Sequence, residues 1–467
     1  MILLLLACHA EPEATQVCDY SGASNPGLDT APPEDTGETG ETGDTGDGPT
    51  PSSWITIDLP TDGALWESGG SAVVRWTYAT PDTDLERWPV VVVEGSLDGG
   101  ETWSALDGGE ALLSPYDEAT ALSVTVPGEE GDALIVRVRD YDEASGDTVT
   151  VQVGPRARTY AWTEVTASAA FAARDGAGAL VFDDRMWLLG GWNPSDRVNF
   201  PETCNSEVWS SEDGVTWTEE VAEAPWEGRH TAGYAVFDER MWILGGDAIQ
   251  GHYQPDAWSS ADGLTWTLEA DDLPWGDRVL HHVAVLDGVI YVMGGQTLPQ
   301  FTDEDEETVL YNDVWSSPDG VNWTQILDEA PWAPRGMIGG SAVLDGQIWL
   351  LGGGTYDTPD HPTRDYYNEV WSSPDGINWT EHAEAPWDPR QYHDVAVFDD
   401  RLWVLEGYSG SNRDDVWYSK DGETWTEVTD TPWAPRHASS IFVYDDGLWV
   451  VAGNNMTPDV WVLRAED

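Results

Sequence analysis

The sequence predicts an all-β chain in which six four-stranded sheets form a closed ring behind a small β-sandwich. Three observations carry this expectation. One pattern starts at Arg174, Arg229, Arg278, Arg335, Arg390 and Arg436, and a period near fifty holding four short strands is the mark of a β-propeller. The last repeat stops after its third strand, at 460–463, while a matching fourth strand, YAWTEV at 160–165, precedes the first repeat. Lending that strand to the last blade closes the ring and leaves no open sheet edge. Residues 54–153 hold short runs of alternating polarity with no helical period, which reads as a sandwich. The expected fold is thus a six-bladed β-propeller whose N-terminal strand closes the last blade, plus a small N-terminal β-sandwich.

In chain order, residues 1–8, MILLLLAC, form an apolar run ending in Leu5-Leu6-Ala7-Cys8. The run resembles a bacterial lipoprotein signal, which implies lipidation at Cys8, a membrane contact only through that anchor, and a place in the cell envelope. The alternative is a plain secreted protein. Residues 9–52 include DTGETGETGDTG at 35–46 and almost no large apolar side chains, the composition of a self-repelling tether. Cys18 falls in this tether and Cys204 in a propeller loop, so these two form the one possible disulfide once Cys8 is lipidated; otherwise they are thiols. Residues 53–155 carry ITIDLP, AVVRWTYA, VVVVEGS, LSVTVP, ALIVRVRD and TVTVQV. In pattern they are similar to immunoglobulin-like and fibronectin-like domains of bacterial surface proteins, and a spacer role is the plain reading.

Residues 156–467 are the repeat. Strand a is small and apolar, as at 395–398, and ends in an acidic turn such as Asp399-Asp400. Strand b is bulky, as at 241–244, and is usually followed by Gly-Gly, where positive φ is permitted. Strand c is often VWSS. An Asp-Gly pair, such as Asp213-Gly214 or Asp421-Gly422, then reads as a primed hairpin turn into strand d. The pattern R-x-x-H-x-x-A-V followed by an apolar run and Gly-Gly, best seen in RVLHHVAVLDGVIYVMGG at 278–295, resembles the kelch family of propellers. That resemblance implies an interaction scaffold more often than an enzyme, although the family has a galactose-oxidase-like branch.

Charge excludes one class of partner. The 467 residues carry a net charge of −66, and among twenty basic residues Lys420 is the single lysine. Phosphate backbones need clustered cations, so nucleic acid is not an expected partner. The charge itself serves solubility or a salty exterior.

Up-and-down strands place the b–c and d–a loops on one face. The b–c loops are uneven, running 16, 10, 18, 16, 8 and 6 residues around the ring, and function concentrates on such loops. The expected picture is a wall at blades 1, 3 and 4 and an open mouth near blades 5 and 6. The six repeat-start arginines enter from this face, so they are candidate anion ligands for a surface polymer, or structural ion pairs. Five tryptophans in the motif PW, Trp226, Trp275, Trp332, Trp387 and Trp433, share that face and either stack on sugars or fill the wedges between blades.

Departures from the repeat add candidates. The positions after Gly-Gly read Trp192, Asp247, Gln296, Gly354, Tyr408 and Asn454, and Glu406 replaces a glycine. His281, His282, His393 and Asp394 lie on inner strands, where burial turns a carboxyl into a candidate acid.

The turns SEDGVTW, SADGLTW, SPDGVNW, SPDGINW and SKDGETW look like short Asp-boxes, and SLDGGETW at 96–103 matches the full box found in sialidases, where it is a structural turn. No catalytic set, zinc motif, P-loop or nucleophile elbow is legible, and no cofactor is expected, although calcium could organise acidic loops such as 303–307. The sequence therefore points to a monomeric, non-catalytic surface lipoprotein that binds a glycan or protein on its loop face. A sialidase-like or galactose-oxidase-like enzyme and an envelope spacer are the alternatives.

Overall fold

The computed structural model describes residues 55–78, 90–112, 119–140, 146–195, 203–249, 251–299, 307–336 and 340–466. Cys8, the tether, Cys18 and most of the acidic run at 303–307 lie outside them.

The N-terminal sandwich has two sheets. Three strands, Ile55–Leu59, Ser71–Tyr78 and Ala119–Thr125, face five: Leu65–Ser68, Gly146–Arg156, Ala133–Asp140, Val90–Ser96 and Ser104–Leu112. All six strands read from the sequence are present. Leu65–Ser68 and Ser104–Leu112 are two that alternation did not reveal. Trp66, Trp76, Val74, Val93, Val136 and Val151 fill the space between the sheets.

Behind it stand six antiparallel sheets with strand order a-b-c-d. Blade 5 is representative: Asp394–Phe398, Arg401–Leu405, Val416–Ser419 and Trp425–Val428. Its strand a alternates buried and half-buried positions, whereas every residue of strand b is buried. Strand b lies between neighbouring blades on both faces, which is why it reads as a continuous apolar run. Blade 6 combines Ser440–Tyr444, Gly447–Val451 and Val460–Ala465 with Tyr160–Thr166, and Trp162 pairs with Leu463. Inner strand Gly178–Phe182 of blade 1 touches both Gly233–Phe237 of blade 2 and Ser440–Tyr444 of blade 6, so the ring closes.

Turn chemistry differs from the expectation in one respect. Asp213 has no positive φ and only Gly214 does, at +70°. These turns are not primed hairpins. Ser211 Oγ accepts from Gly214 N at 2.8 Å, Asp213 Oδ1 accepts from Thr216 N at 2.7 Å, and Trp217 Nε1 donates to Gly214 O at 3.0 Å. The same bonds recur in blades 2 to 5, and at Ser96, Asp98, Gly100 and Trp103 of the sandwich. The primed turns are the a–b turns instead: Asp183-Asp184, Asp238-Glu239, Asp399-Asp400 and Asp445-Asp446 have both residues at φ between 47° and 57°.

Aromatic rings lock the wedges between blades. Each PW tryptophan meets the strand-d tryptophan of the next blade edge to face, as in Trp275 with Trp323 (4.4 Å between centroids) and Trp433 with Trp162 (4.2 Å). Phe171 takes this place ahead of blade 1, 5.1 Å from Trp217. All five PW tryptophans are at most 5% exposed, so they pack and offer no ring for sugar stacking.

The sandwich rests on blade 5. Glu67 pairs with Arg401 and Lys420 and accepts from Tyr418 Oη at 3.1 Å. Arg75 donates to Ala385 O at 2.6 Å, and Ser123 to Glu427 at 3.1 Å on the outer strand. That contact covers a sheet edge.

Candidate functional site

The repeat-start arginines do not form a ring at the mouth. All six are buried, at most 3% exposed, and each guanidinium is committed within its own blade. Arg390 donates to Glu406 O at 2.8 Å and to both Asp415 oxygens at 2.6 and 2.7 Å. Arg174, Arg229, Arg278, Arg335 and Arg436 repeat this with Glu207, Asp256, Asp313, Glu369 and Asp459. The same acids accept from the strand-c tryptophans two residues on, such as Trp417 Nε1 at 2.7 Å. With Nε, NH1 and NH2 each bonded, these buried arginines tie strand a to strands b and c, and the anion-ligand reading does not hold for them.

Above this layer the residue after each arginine bridges the residue after Gly-Gly: Asp175 with Trp192, His230 with Asp247, Val279 with Gln296, Gly336 with Gly354, and Gln391 with Tyr408. In blade 6 Asn454 N donates to His437 O at 2.9 Å. One residue further on, the chain turns left-handed, as at Thr231, Leu280, Tyr392 and Ala438. The backbones of neighbouring blades join there, through Leu280 N to Thr231 O and Ala438 N to Tyr392 O. The six varied positions picked from the sequence thus share one layer, divided into two regions.

Over blades 1 and 2 the layer is acidic. Asp247 is fully buried, with Oδ1 3.0 Å from His230 Nδ1 and 2.7 Å from Thr231 Oγ1. Burial opposes charge on the His230 ring, but Asp247 and Cys204 together outweigh it and hold the imidazole well above its usual range. Cys204 is buried, carries no disulfide, and sits 3.4 Å from His230. Asp175 accepts from Asn454 Nδ2 at 2.7 Å, and burial pushes its carboxyl up to about 6. Trp192 is half-buried at the rim of this side.

Over blades 4 to 6 the layer is aromatic and includes the Arg364 cation. Arg364, from the b–c loop of blade 4, lies 4.3 Å over the Tyr356 ring and 5.5 Å from the Tyr408 ring. Its Nε donates to Asp357 at 2.5 Å, which leaves the terminal NH1 and NH2 fork without a carboxylate among the described residues. The His437 ring is tilted by 33° against Tyr392 at 5.1 Å and lies 5.6 Å from Tyr408, with Asn412 Oδ1 2.7 Å from its Nδ1. Burial, then the Arg364 charge, drops His437 to about 4, so this ring is neutral. Tyr366 completes the rim, 6.3 Å from Tyr408. Gln296 holds the Tyr356 backbone, accepting from its N at 2.8 Å. Gln391 Nε2 is buried with no partner.

Sequence reasoning found Tyr408, Asn454, Gln296, Asp247 and Trp192 in the mouth layer, and missed Arg364, Tyr356, Tyr366, Tyr392 and His230. Arg364 had one signal, an arginine inside a long b–c loop and outside the repeat register. Glu406, Asp394 and His393 lie one layer deeper, at 0%, 7% and 0% exposure, so a ligand on the mouth does not touch them. Among the described residues no three His, Cys, Asp or Glu side chains converge in a metal-binding arrangement.

No family model and no curated protein matches this sequence. Among solved structures 138 chains match. One is the structure of YjhT, at 15% identity and a TM-score of 0.49, with 64% of this chain and 99% of that chain covered.

Proposed function

We propose that this is a non-catalytic binding protein of a bacterial cell envelope, lipid-anchored through Cys8, whose loop face takes an acidic group of a surface glycan or protein. The observation that supports this reading is Arg364: a guanidinium between two tyrosine rings, whose terminal fork has no carboxylate among the described residues, in a mouth lined by Tyr366, Tyr392, Tyr408 and neutral His437. A planar guanidinium suits a carboxylate or sulfate, and the rings beside it suit a sugar face. The anion selectivity expected of the repeat arginines thus moves to one residue of blade 4.

The test is binding of the purified protein to a panel of neutral and carboxylated glycans, with Arg364→Gln beside Arg185→Gln, a partly exposed residue at the start of strand b in blade 1. Loss of one charged hydrogen-bond pair costs about 1.5–3 kcal/mol, so acidic glycans should bind the Arg364 variant at least tenfold more weakly while Arg185→Gln binds as the parent does. Equal binding by all three proteins would remove Arg364 from the reading.

A further inference from the structure

The seam between blades 5 and 6 is built differently from its neighbours. At the position of Ser439, blades 3 and 5 carry His281 and His393, whose Nε2 atoms reach Leu244 O at 3.1 Å and Leu351 O at 2.7 Å in the preceding blade. Those rings close on Gly245 and Gly352, where an added Cβ would meet Cε1 at 3.0 and 3.1 Å. Ser439 leaves that space open, and Glu406 fills it from the glycine position. Glu406 does so at a φ of +59° and with no exposed surface, a strained backbone for a side chain that the repeat does not require.

Ser439 holds two carboxyls. Its N donates to Asp394 Oδ2 at 2.9 Å, and its Oγ lies 2.6 Å from Glu406 Oε2 and 3.2 Å from Ala452 O. One hydroxyl proton cannot serve both of those oxygens. A protonated Glu406 resolves this by donating to Ser439 Oγ, which then donates to Ala452 O. Arg436 Nε is 3.9 Å from Glu406 Oε1, but its guanidinium is already held by Asp459 and by the carbonyls of Ala434 and Ala452. Glu406 Oε1 has no hydrogen-bond partner. The remaining groups facing the pair, Asp459 and Asp414, add negative charge. Burial pushes Glu406 up to about 8, and burial with the Glu406 charge holds Asp394 well above the carboxylate range.

The three residues sit directly under the mouth. Asp394 is two residues from Tyr392, Glu406 two from Tyr408, and Ser439 two from His437. We propose that Asp394, Ser439 and Glu406 form a proton-controlled latch between blades 5 and 6 that positions the aromatic half of the mouth. Protonated, the latch closes the seam. Without the proton, two buried carboxylates face each other with no free cation, and Tyr392, Tyr408 and His437 lose their fixed support. The inference stands on the seam and not on what the mouth binds, so it survives or fails separately from the glycan reading.

The test is amide hydrogen exchange of the intact protein at Gly407, Tyr408 and Ala438, whose N–H groups cross the seam or the mouth layer. A closed state that binds one extra proton makes opening, corrected for intrinsic exchange, rise about tenfold per pH unit between pH 5 and 7.5 and level off above 8. Glu406→Gln should flatten that profile, and Asp394→Asn should flatten it or shift it; if one variant does not fold, the other carries the comparison. A flat wild-type profile, or the same rise in the variants as in the wild type, overturns the latch.

Discussion

Arg278 uses all its donors at home: Nε and NH2 to Trp275 O, NH1 to Gly294 O, and NH1 and NH2 to Asp313. Its position was legible in the sequence as a repeat start. A structural ion pair was one of two readings, but the partner was not legible, because Asp313 lies beyond a b–c loop whose length changes from blade to blade. The visible clue was the acid two residues before every strand-c tryptophan. Arg278→Gln strands the buried Asp313 carboxylate and should cost about 3–5 kcal/mol in urea unfolding, with or without ligand. Asp175 gives a pH test. Its folded pKa, about 6, lies above the ordinary 3.8, so its contribution is fully present below pH 3.8 and is lost as pH rises through 6. Asp175→Asn should therefore raise the Tm relative to wild type more at pH 7 than at pH 4, and an equal difference at both would disprove the assignment. Arg364 and Tyr356 were opaque to repeat reading because they belong to no register.

Among the elements, the Asp-Gly turns show how local reading and packing part company. The dipeptide predicts a hairpin, and a hairpin forms, but the glycine answers to a neighbouring blade as well as to its own turn. A Cβ at Gly263 would sit 2.1 Å from Cζ3 of Trp187 on blade 1, while Gly288, at nearly the same φ, has nothing within 4 Å. Gly288→Ala should cost only the left-handed penalty, about 1–2 kcal/mol. Gly263→Ala should cost about 1–3 kcal/mol more from overpacking, and Trp187→Phe should recover part of that excess; equal losses in thermal unfolding would deny the lock. The strands themselves were legible because their alternation is local. Which aromatic ring fills which wedge was not, since that pairing joins residues one repeat apart.

For the whole molecule, the closing strand was readable because a missing piece at one end matched a spare piece at the other. The seating of the sandwich was not, since Glu67, Arg401 and Lys420 look like any surface charges until the two parts meet. Net charge makes a prediction at this scale. A chain at −66 repels an acidic ligand at long range, and salt shortens that reach to about 10 Å at 0.1 M. If an acidic glycan binds at Arg364, its association rate should rise from 10 to 150 mM salt, as read by stopped flow; a falling rate would argue against an anionic ligand.

The covered edge of blade 5 also has a mechanical meaning. A pull arriving along the chain from the N-terminal side meets the sandwich before it meets Tyr160–Thr166, the strand that closes the ring. Glu67, Arg75 and Ser123 fasten the sandwich to blade 5, so part of the tension is diverted into the side of the wheel. The sandwich then acts like the strain relief on a cable: the tug is taken up at the fastening, and the clasp that keeps the wheel shut is spared from peeling.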